Sequence, residues 1–291
     1  MSHIPVLLNE VIEYLDPKPG EFIIDGTING GGHTREILRR ISPGGTLLGV
    51  DWDSELIAQT KSEFKGEKVV LAAGNYADLP EILRQNWLPR ADGLLLDLGF
   101  SSSQLQTGRG FSFQKDEPLQ MTYDPEAEPA WRLVNELREP ELISVIRELG
   151  GERFAGRIAR AIKVAKPRTT KELRGAIVSA VPRGYERGRI DPATRTFQAI
   201  RIFVNRELDN LKMVIAELSQ ILNPGGRAVI LTFHSLEDAI VKNGFRNMAK
   251  EGACELLTKK PISPTREEIL QNPRSRSAKL RAIKLSTKKK I

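Results

Sequence analysis

The chain has 291 residues, a net charge of +7 and a sequence pI of about 9.5. This length allows one large domain, or one domain that carries a smaller one, with a sizeable core. The single cysteine, Cys254, excludes an internal disulfide and fits no metal-ligand spacing, so we predict a reducing, cytoplasmic compartment and no metal site. The N-terminal residues lack a signal-peptide pattern, and no apolar run approaches the roughly 20 residues that span a bilayer. The positive excess favours a polyanionic partner.

Short apolar runs alternate with helical patterns in the first hundred residues, which predicts a parallel sheet with crossover helices. Each run is nearly continuously apolar, as expected for strands that are buried on both faces. The predicted strands are residues 21–25, 46–50, 68–72 and 93–97.

The alternation stops after Asp97, and a loop followed by helical patterns continues to about residue 195. A structureless loop of that length is uncommon inside a compact domain, so we predict an inserted helical subdomain, residues 105–195, that recognises the substrate. Residues 151–206 contain fourteen Lys or Arg against four acidic residues, so the insertion is basic. The helices predicted from the insertion are residues 132–139, 140–149, 152–164 and 170–180.

The alternation resumes with one long helix at about 196–222, followed by a turn and a strand at 227–233. Ser235, with Asp238 three residues later, indicates a capping box and a helix that ends near Lys250. Two more strands are predicted at 255–258 and 278–285. The fold class is therefore α/β: a doubly wound, mostly parallel, Rossmann-like sheet of seven strands, formed by residues 1–104 and 196–291, with the helical insertion.

A glycine-rich turn, Gly26 to Gly32, links the first strand to a helix. Glycines there let the backbone approach a ligand that a Cβ would exclude. The spacing is not the G-x-G-x-x-G of dinucleotide enzymes, which disfavours a nicotinamide dehydrogenase. Asp25 would face a pyrophosphate unfavourably but suits the cationic methionine end of S-adenosylmethionine.

Three more positions at carboxyl ends of predicted strands fit the same cofactor. Asp51 can accept hydrogen bonds from both ribose hydroxyls, Tyr76 lies where an adenine ring would lie, and Asp97 ends the fourth strand. Together with the glycine turn, these residues predict an S-adenosylmethionine site.

Several longer motifs carry a resemblance to a known family. They include Gly31-Gly32-His33, Leu96-Asp97-Leu98-Gly99, Arg109-Gly110-Phe111-Ser112-Phe113, Pro192-Ala193-Thr194-Arg195-Thr196-Phe197-Gln198-Ala199 and Phe233-His234-Ser235-Leu236-Glu237-Asp238. Over nearly its whole length the chain resembles the bacterial 16S ribosomal RNA methyltransferases that modify cytosine N4 in the decoding centre. The resemblance implies 16S ribosomal RNA within the small subunit as the partner, and leaves a homodimer open. The implied cofactor contacts are Gly31, Gly32, His33, Asp51, Tyr76, Asp97 and Gln104.

The predicted catalytic residues are Asp97 and His234. The amino nitrogen of cytosine is a poor nucleophile, so an enzyme has to align it with the methyl group and accept its hydrogens. Asp97 could accept a hydrogen bond from the amino group or place the methionine end, and His234 could lie across the substrate pocket. The group that takes the proton stays open. As alternatives, His33 could cap its helix, and His234 could be a structural residue at a strand end.

Four residues are predicted to contact RNA: Arg109, Arg195, Arg201 and Asn205. The three arginines could instead be surface charges, and Asn205 could cap a neighbouring loop. The chain departs from the family pattern at Ser103, Gln120, Thr122 and Asp191, which leaves details of substrate recognition open.

Two other functions compete with methylation of an amino group. Methylation at cytosine C5 requires a cysteine nucleophile, and Cys254 lies outside any such motif. A non-catalytic RNA-binding or ribosome-assembly protein that retains the fold is the alternative, and loss of cofactor binding would favour it.

Overall fold

A computed structural model describes residues 5–64, 66–98, 108–186, 188 and 190–287. The chain divides into two compact units, a sheet unit (Met1–Ser101 and Leu208–Ile291) and a helical unit (Ser102–Glu207). The sequence predicts that the sheet domain resumes at residue 196, but the helix Thr194–Val204 belongs to the helical unit. The sheet unit therefore resumes twelve residues later than predicted.

Both units contain α-helices. In chain order, the described residues form α1 (Leu8–Leu15), α2 (Gly32–Ile41), α3 (Ser54–Thr60), α4 (Leu79–Gln85), α5 (Ala130–Glu136), α6 (Glu139–Gly150), α7 (Ala155–Ala165), α8 (Thr170–Ala180), α9 (Thr194–Val204), α10 (Glu207–Ala216), α11 (Leu218–Ile221), α12 (Ser235–Lys250) and α13 (Arg266–Gln271). In this part of the chain, no helix has the length and apolar character needed to cross a membrane.

Seven strands of the described residues form a single sheet in the order β3-β2-β1-β4-β5-β7-β6. Neighbouring strands from β3 to β5 are parallel, and β7 is antiparallel to both β5 and β6. This confirms the predicted mostly parallel, doubly wound sheet. The strands are β1 (Phe22–Asp25), β2 (Thr46–Asp51), β3 (Val69–Ala73), β4 (Ala91–Asp97), β5 (Leu222–Thr232), β6 (Cys254–Leu256) and β7 (Lys279–Leu285).

Each face of the sheet packs against a layer of helices, because successive side chains of a strand point to opposite faces. Ile23 and Leu47 pack with α1 and α2 on one face. Ile24 and Leu48 pack with α4, α10 and α12 on the other. The central strands are therefore buried on both sides, which explains why their sequences are continuous apolar runs.

The single long helix predicted at 196–222 is wrong, since α9, α10 and α11 occupy this stretch. Asn205 is the C-cap of α9, and Arg206 has φ of 50°, a left-handed conformation that an α-helix cannot continue through. Strand β5 also begins at Leu222 rather than at residue 227, and it pairs with β4 through an irregular register. The residues of the predicted turn, 223–226, therefore lie within β5, where its register with β4 shifts.

The helical unit has a core of its own, formed by residues of α5 to α9 such as Ile146, Ile158, Ile177 and Phe197. Helix α6 packs against α9, and α7 packs against α8. The range predicted for α8 matches the structure, and the other three predicted helices begin and end within three residues of the observed ends.

Candidate active site

The order of the strands places a binding site at the carboxyl ends of β1 and β4. These two strands are neighbours in the sheet, but β2 follows on one side and β5 on the other, so the order reverses between them. Open α/β sheets bind ligands at such a reversal. Asp25 ends β1 and Asp97 ends β4, and both side chains are buried.

The glycine turn between β1 and α2 is closely packed against the protein itself. Gly31 is the N-cap of α2 and has φ of 70°. A Cβ added there would lie 2.9 Å from Cζ of Phe64, and one added to Gly32 would lie 2.6 Å from Cγ of Pro5. Close packing favours glycine at both positions and the positive φ favours it at Gly31, and the predicted approach of a ligand to this turn stays a prediction.

Two polar residues of the turn, Thr27 and Asn29, hold neighbouring strand ends together. Thr27 Oγ1 accepts a hydrogen bond from the Asp97 backbone N–H at 2.6 Å. The Asn29 backbone N–H donates to Oδ2 of Asp51 at 3.0 Å, and its side-chain Nδ2 donates to the Asp97 carbonyl at 3.2 Å. Sequence reasoning missed both residues, although an asparagine in a glycine-rich turn is a signal, because asparagine tolerates the positive φ of 47° found here.

Asp25 is bound to the turn that follows it. Its Oδ2 accepts a hydrogen bond of 2.7 Å from the Thr34 hydroxyl, and its Oδ1 accepts one of 3.3 Å from the Thr27 N–H. Burial raises the pKa of this carboxyl above its usual range, with the Thr34 hydrogen bond opposing the shift. The structure thus gives Asp25 a role in fixing the start of α2, and its predicted contact with the cofactor stays a prediction.

Asp51 lies at the end of β2, the neighbour of β1. Its Oδ1 accepts from the Asp53 N–H and its Oδ2 from the Asn29 N–H, both at 3.0 Å. Burial raises the pKa of Asp51 to about 6, against the lowering effect of these two bonds. Each carboxylate oxygen can accept a further hydrogen bond, so the ionised group suits the two hydroxyls of a ribose.

Tyr76 begins a short 3-10 turn, Tyr76–Asp78, that follows β3. A Cβ added to Gly26 would lie 3.5 Å from Cβ of Tyr76, so this aromatic residue is adjacent to the glycine turn. The sequence prediction placed Tyr76 at this edge of the sheet. Gln104, the remaining predicted cofactor contact, lies outside the described residues.

His33 and Asp97 are brought together at the reversal. Nδ1 of His33 lies 3.6 Å from Oδ2 of Asp97, and Nε2 lies 3.0 Å from the carbonyl oxygen of Val6. Burial lowers the pKa of His33, against the opposing effect of Asp25, so the neutral imidazole is favoured. The Val6 carbonyl can only accept, so Nε2 carries the proton and the Nδ1 lone pair faces Asp97. His33 is the second residue of α2 and does not cap it, because Gly31 is the N-cap.

His234 lies at the carboxyl end of β5, two residues after its last residue. It is the N-cap of α12: Nδ1 accepts from the Glu237 N–H at 3.4 Å, and the Glu237 carboxylate accepts from the His234 N–H at 3.3 Å. The capping box predicted at Ser235 and Asp238 is therefore one residue too late. Nε2 of His234 lies 3.1 Å from Oε1 of Glu237 but forms no hydrogen bond within the described residues.

Two of the predicted RNA contacts, Arg109 and Arg195, are half-buried in the helical unit. Arg109 Nη1 donates to the Tyr123 carbonyl at 2.9 Å. Arg195 donates to the Tyr185 hydroxyl at 3.1 Å and pairs with Glu186 at 3.0 Å. Both guanidinium groups thus stabilise loops of the helical unit.

Arg201 and Asn205 are buried within the same unit. Arg201 forms a bidentate ion pair with Glu207, at 2.7 and 2.9 Å. The Asn205 side chain accepts from the Tyr123 N–H at 2.9 Å and donates to the carbonyls of Met121 and Arg201. These contacts favour the structural alternative, in which Asn205 fixes a neighbouring loop.

Residues that depart from the family pattern make contacts inside the helical unit. Asp191 accepts two hydrogen bonds from Arg174, at 3.0 and 2.8 Å, and Gln120 Nε2 donates to the Thr122 hydroxyl at 3.2 Å. Ser103 lies outside the described residues.

In the sheet unit, burial raises the pKa of the Cys254 thiol to about 11, which supports the exclusion of a cysteine nucleophile.

The sheet with its antiparallel last strand and the carboxylates at the ends of β1, β2 and β4 agree with an S-adenosylmethionine-dependent methyltransferase. A sequence model of the MraW methylase family matches residues 1–286, and the chain belongs to that family. These findings confirm the predicted family, enzyme class and cofactor.

Three similar proteins are each called ribosomal RNA small subunit methyltransferase H. The protein of Syntrophus aciditrophicus is 44% identical over 302 residues, which cover 96% of each chain. The protein of Syntrophotalea carbinolica is 44% identical over 306 residues, covering 97% of this chain and 98% of its own. The protein of Thermotoga neapolitana is 47% identical over 291 residues, covering 97% of this chain and 96% of its own.

Proposed function

We propose that this enzyme transfers a methyl group from S-adenosylmethionine to the N4 amino group of a cytidine in the decoding centre of 16S ribosomal RNA. The relatives named for methylation of small-subunit ribosomal RNA support the substrate. The observation that carries the chemistry is the buried carboxylate of Asp97 at the strand-order reversal, with the imidazole of His33 behind it.

The residues at the carboxyl edge of the sheet fit S-adenosylmethionine by their chemistry. The buried carboxylate of Asp51 offers acceptors for ribose hydroxyls, and Tyr76 offers an aromatic surface for an adenine. A carboxylate suits the cationic methionine end, and we propose Asp25 for that part of the site, with the amide of Gln104 as a second polar contact. When bound, the cofactor supplies a methyl group activated by its sulfonium sulfur.

Asp97 is proposed as the group that receives the amino hydrogen. The lone pair of the cytosine amino nitrogen is delocalised into the ring, so positive charge develops on that nitrogen as it attacks a methyl carbon. A carboxylate that accepts a hydrogen bond from the amino N–H stabilises this charge and can take the proton. The backbone of Asp97 is fixed by Thr27 and Asn29, which limits the motion of the acceptor.

His33 is proposed as a residue that positions Asp97. Its Nε2 proton is held by the Val6 carbonyl, and its Nδ1 lone pair can accept a hydrogen bond from Asp97 once the carboxyl has taken a proton. His234 stays a candidate for contact with the cytosine, since it lies at the end of β5, the strand next to β4.

The helical unit is proposed as the subdomain that recognises the substrate. Its basic composition suits a polyanion, and we propose the assembled small subunit in the cytoplasm as the natural substrate. Reaching an amino group in structured RNA can require extrusion of the base, and a separate unit could clamp the flanking strand.

The test is transfer of labelled methyl from S-adenosylmethionine to small subunits that lack this modification, with free 16S ribosomal RNA in parallel. Mass spectrometry would then identify the modified nucleoside. N4-methylcytidine in the 16S RNA supports the proposal, and a label on another nucleoside or RNA contradicts it. Cofactor binding without transfer would favour the non-catalytic, ribosome-assembly alternative.

A further inference from the structure

An exposed arginine packs against two aromatic rings just before α7. The guanidinium carbon of Arg153 lies 4.8 Å from the ring centre of Phe154 and 4.9 Å from that of Tyr185. The two rings meet edge to face, with centres 5.0 Å apart. The guanidinium carbon of Arg157, one helical turn further on, lies 5.8 Å from the Phe154 ring. We call these four residues the arginine–aromatic surface.

A buried carboxylate holds the aromatic rings in place. Glu152 is fully buried, and its two oxygens accept from the Tyr185 hydroxyl at 3.1 and 3.0 Å. The same carboxylate accepts from the Phe154 N–H at 2.8 Å. Arg195 donates to the Tyr185 hydroxyl from the other side at 3.1 Å. The Tyr185 hydroxyl and the Phe154 backbone are therefore fixed, which limits the motion of the rings against which Arg153 packs.

Within the described residues, neither Arg153 nor Arg157 lies within ion-pair distance of a carboxylate. Six other arginines of the helical unit do have such a partner: Arg132, Arg138, Arg160, Arg174, Arg195 and Arg201. Two like charges four residues apart are mildly unfavourable to each other. An exposed pair of arginines packed against aromatic rings, with no ion-pair partner in the part of the chain that the structure describes, suits an anionic partner.

We propose that the arginine–aromatic surface binds the ribose–phosphate backbone of the RNA substrate. A guanidinium presents N–H donors in a planar fork that fits phosphate oxygens, and packing against aromatic rings limits the motion of the Arg153 side chain that carries this fork. The half-buried rings of Phe154 and Tyr185 beside the arginines also suit a neighbouring unpaired base. This inference rests on the proposed function, because it assigns a surface to the RNA that the enzyme methylates.

The test compares two double variants that each remove two positive charges from the helical unit. Arg153→Ala/Arg157→Ala removes the surface, and Arg132→Ala/Arg138→Ala removes two exposed arginines that already pair with carboxylates of their own helices. Binding to unmodified 16S ribosomal RNA is measured by fluorescence anisotropy at several KCl concentrations. Circular dichroism and cofactor titration verify that both variants fold.

We expect the first double variant to bind RNA about tenfold or more weakly at physiological salt, and its plot of log affinity against log salt to lose about one to two units of slope. The slope for the matched control, Arg132→Ala/Arg138→Ala, should fall by less than about half as much. Arg153→Lys keeps the charge but not the planar fork, and should bind with intermediate affinity.

Equal salt slopes and affinities for the two double variants would overturn the proposal. Binding to polyglutamate is measured in the same way. If Arg153→Ala/Arg157→Ala weakens binding to polyglutamate but not to RNA, the proposal is also overturned, since the surface would then be selective for acidic protein. Methyl transfer by the wild-type enzyme is measured in the same preparations. If the wild type methylates the subunits while the double variants bind alike, only this inference fails; if the wild type transfers nothing, the proposed function fails as well.

Discussion

The imidazole of His33 lies between the Val6 carbonyl and the Asp97 carboxylate, 3.0 Å from the first and 3.6 Å from the second. The ring is buried, and burial lowers its pKa, so a neutral side chain presents a lone pair to Asp97. His33 is thereby linked to the proposed proton acceptor, although the two residues lie far apart in the sequence.

Replacing His33 with Ala should lower kcat about 10- to 100-fold, because the Asp97 carboxyl, once it has taken the proton, loses the Nδ1 acceptor for its hydrogen bond. The dissociation constant for S-adenosylmethionine should change little, and added imidazole should restore part of the rate. Single-turnover kinetics and calorimetric titration measure the two effects. A cofactor affinity that falls as far as the rate would show that His33 acts as a cofactor contact instead.

Asp97→Asn should lower methyl transfer at least about 100-fold, since an amide cannot take the amino proton. Its thermal midpoint should change little, because Thr27 and Asn29 hold the backbone of Asp97 in both proteins. Asp92→Asn, at the opposite end of β4, is the matched control and should retain transfer. Full activity of Asp97→Asn would remove the carboxylate from the mechanism.

Cofactor binding should weaken below about pH 6. Burial raises the pKa of Asp51 to about 6, and only the ionised carboxylate accepts hydrogen bonds from both ribose hydroxyls. Where the ionisation of Asp51 controls binding, the affinity for S-adenosylmethionine at pH 5 should be about tenfold below the affinity at pH 7.5. Asp51→Asn should bind weakly at both pH values, and a wild-type affinity that is constant with pH would contradict the assignment.

The same shift in Asp51 has a consequence for stability with a defined sign. The folded-state pKa of about 6 lies above the ordinary value of 3.8, so between these limits the folded protein holds the proton more tightly. The contribution of Asp51 to the free energy of unfolding should therefore fall as pH rises from about 4 to 6, and then stay constant. Urea titrations of the wild type and of Asp51→Asn across this range isolate the effect.

Gly32→Ala should disturb the glycine turn, because its Cβ would lie 2.6 Å from Cγ of Pro5. We expect weaker cofactor binding and a stability loss of about 1–3 kcal/mol, as for an overpacked site. Adding Pro5→Ala removes the clashing atom and should restore much of the cofactor affinity and of the stability. Thermal unfolding and cofactor titration form the double-mutant cycle, and additive losses would show that Pro5 is not the obstacle.

Arg201→Ala should destabilise the helical unit by about 3–5 kcal/mol, because it leaves the Glu207 carboxylate buried without its partner. The double variant Arg201→Met/Glu207→Leu should recover part of that loss. Urea unfolding measures both. An Arg201→Ala variant of normal stability but weakened RNA binding would return Arg201 to the role predicted from sequence.

The sequence alone determined most of the sheet and the position of the site along the chain. Apolar runs located β1 to β4 to within two residues, because strands buried on both faces leave that pattern directly in the residues. The glycine turn and the residues Asp51, Tyr76 and Asp97 were placed correctly at carboxyl ends of strands, because the fold class dictates where such ends meet. Helices α1 and α13 were not predicted.

Only the tertiary structure decided which partner each of these groups contacts. It places His33 beside Asp97, fills the Cβ positions of Gly31 and Gly32 with Phe64 and Pro5, and ends α9 at Asn205. It also buries Arg201 against Glu207, which no composition count could distinguish from an exposed, phosphate-binding arginine. The physical reason is that periodicity and turn chemistry are local properties of the chain, whereas burial, ion pairing and pKa shifts depend on groups distant in sequence that folding brings together.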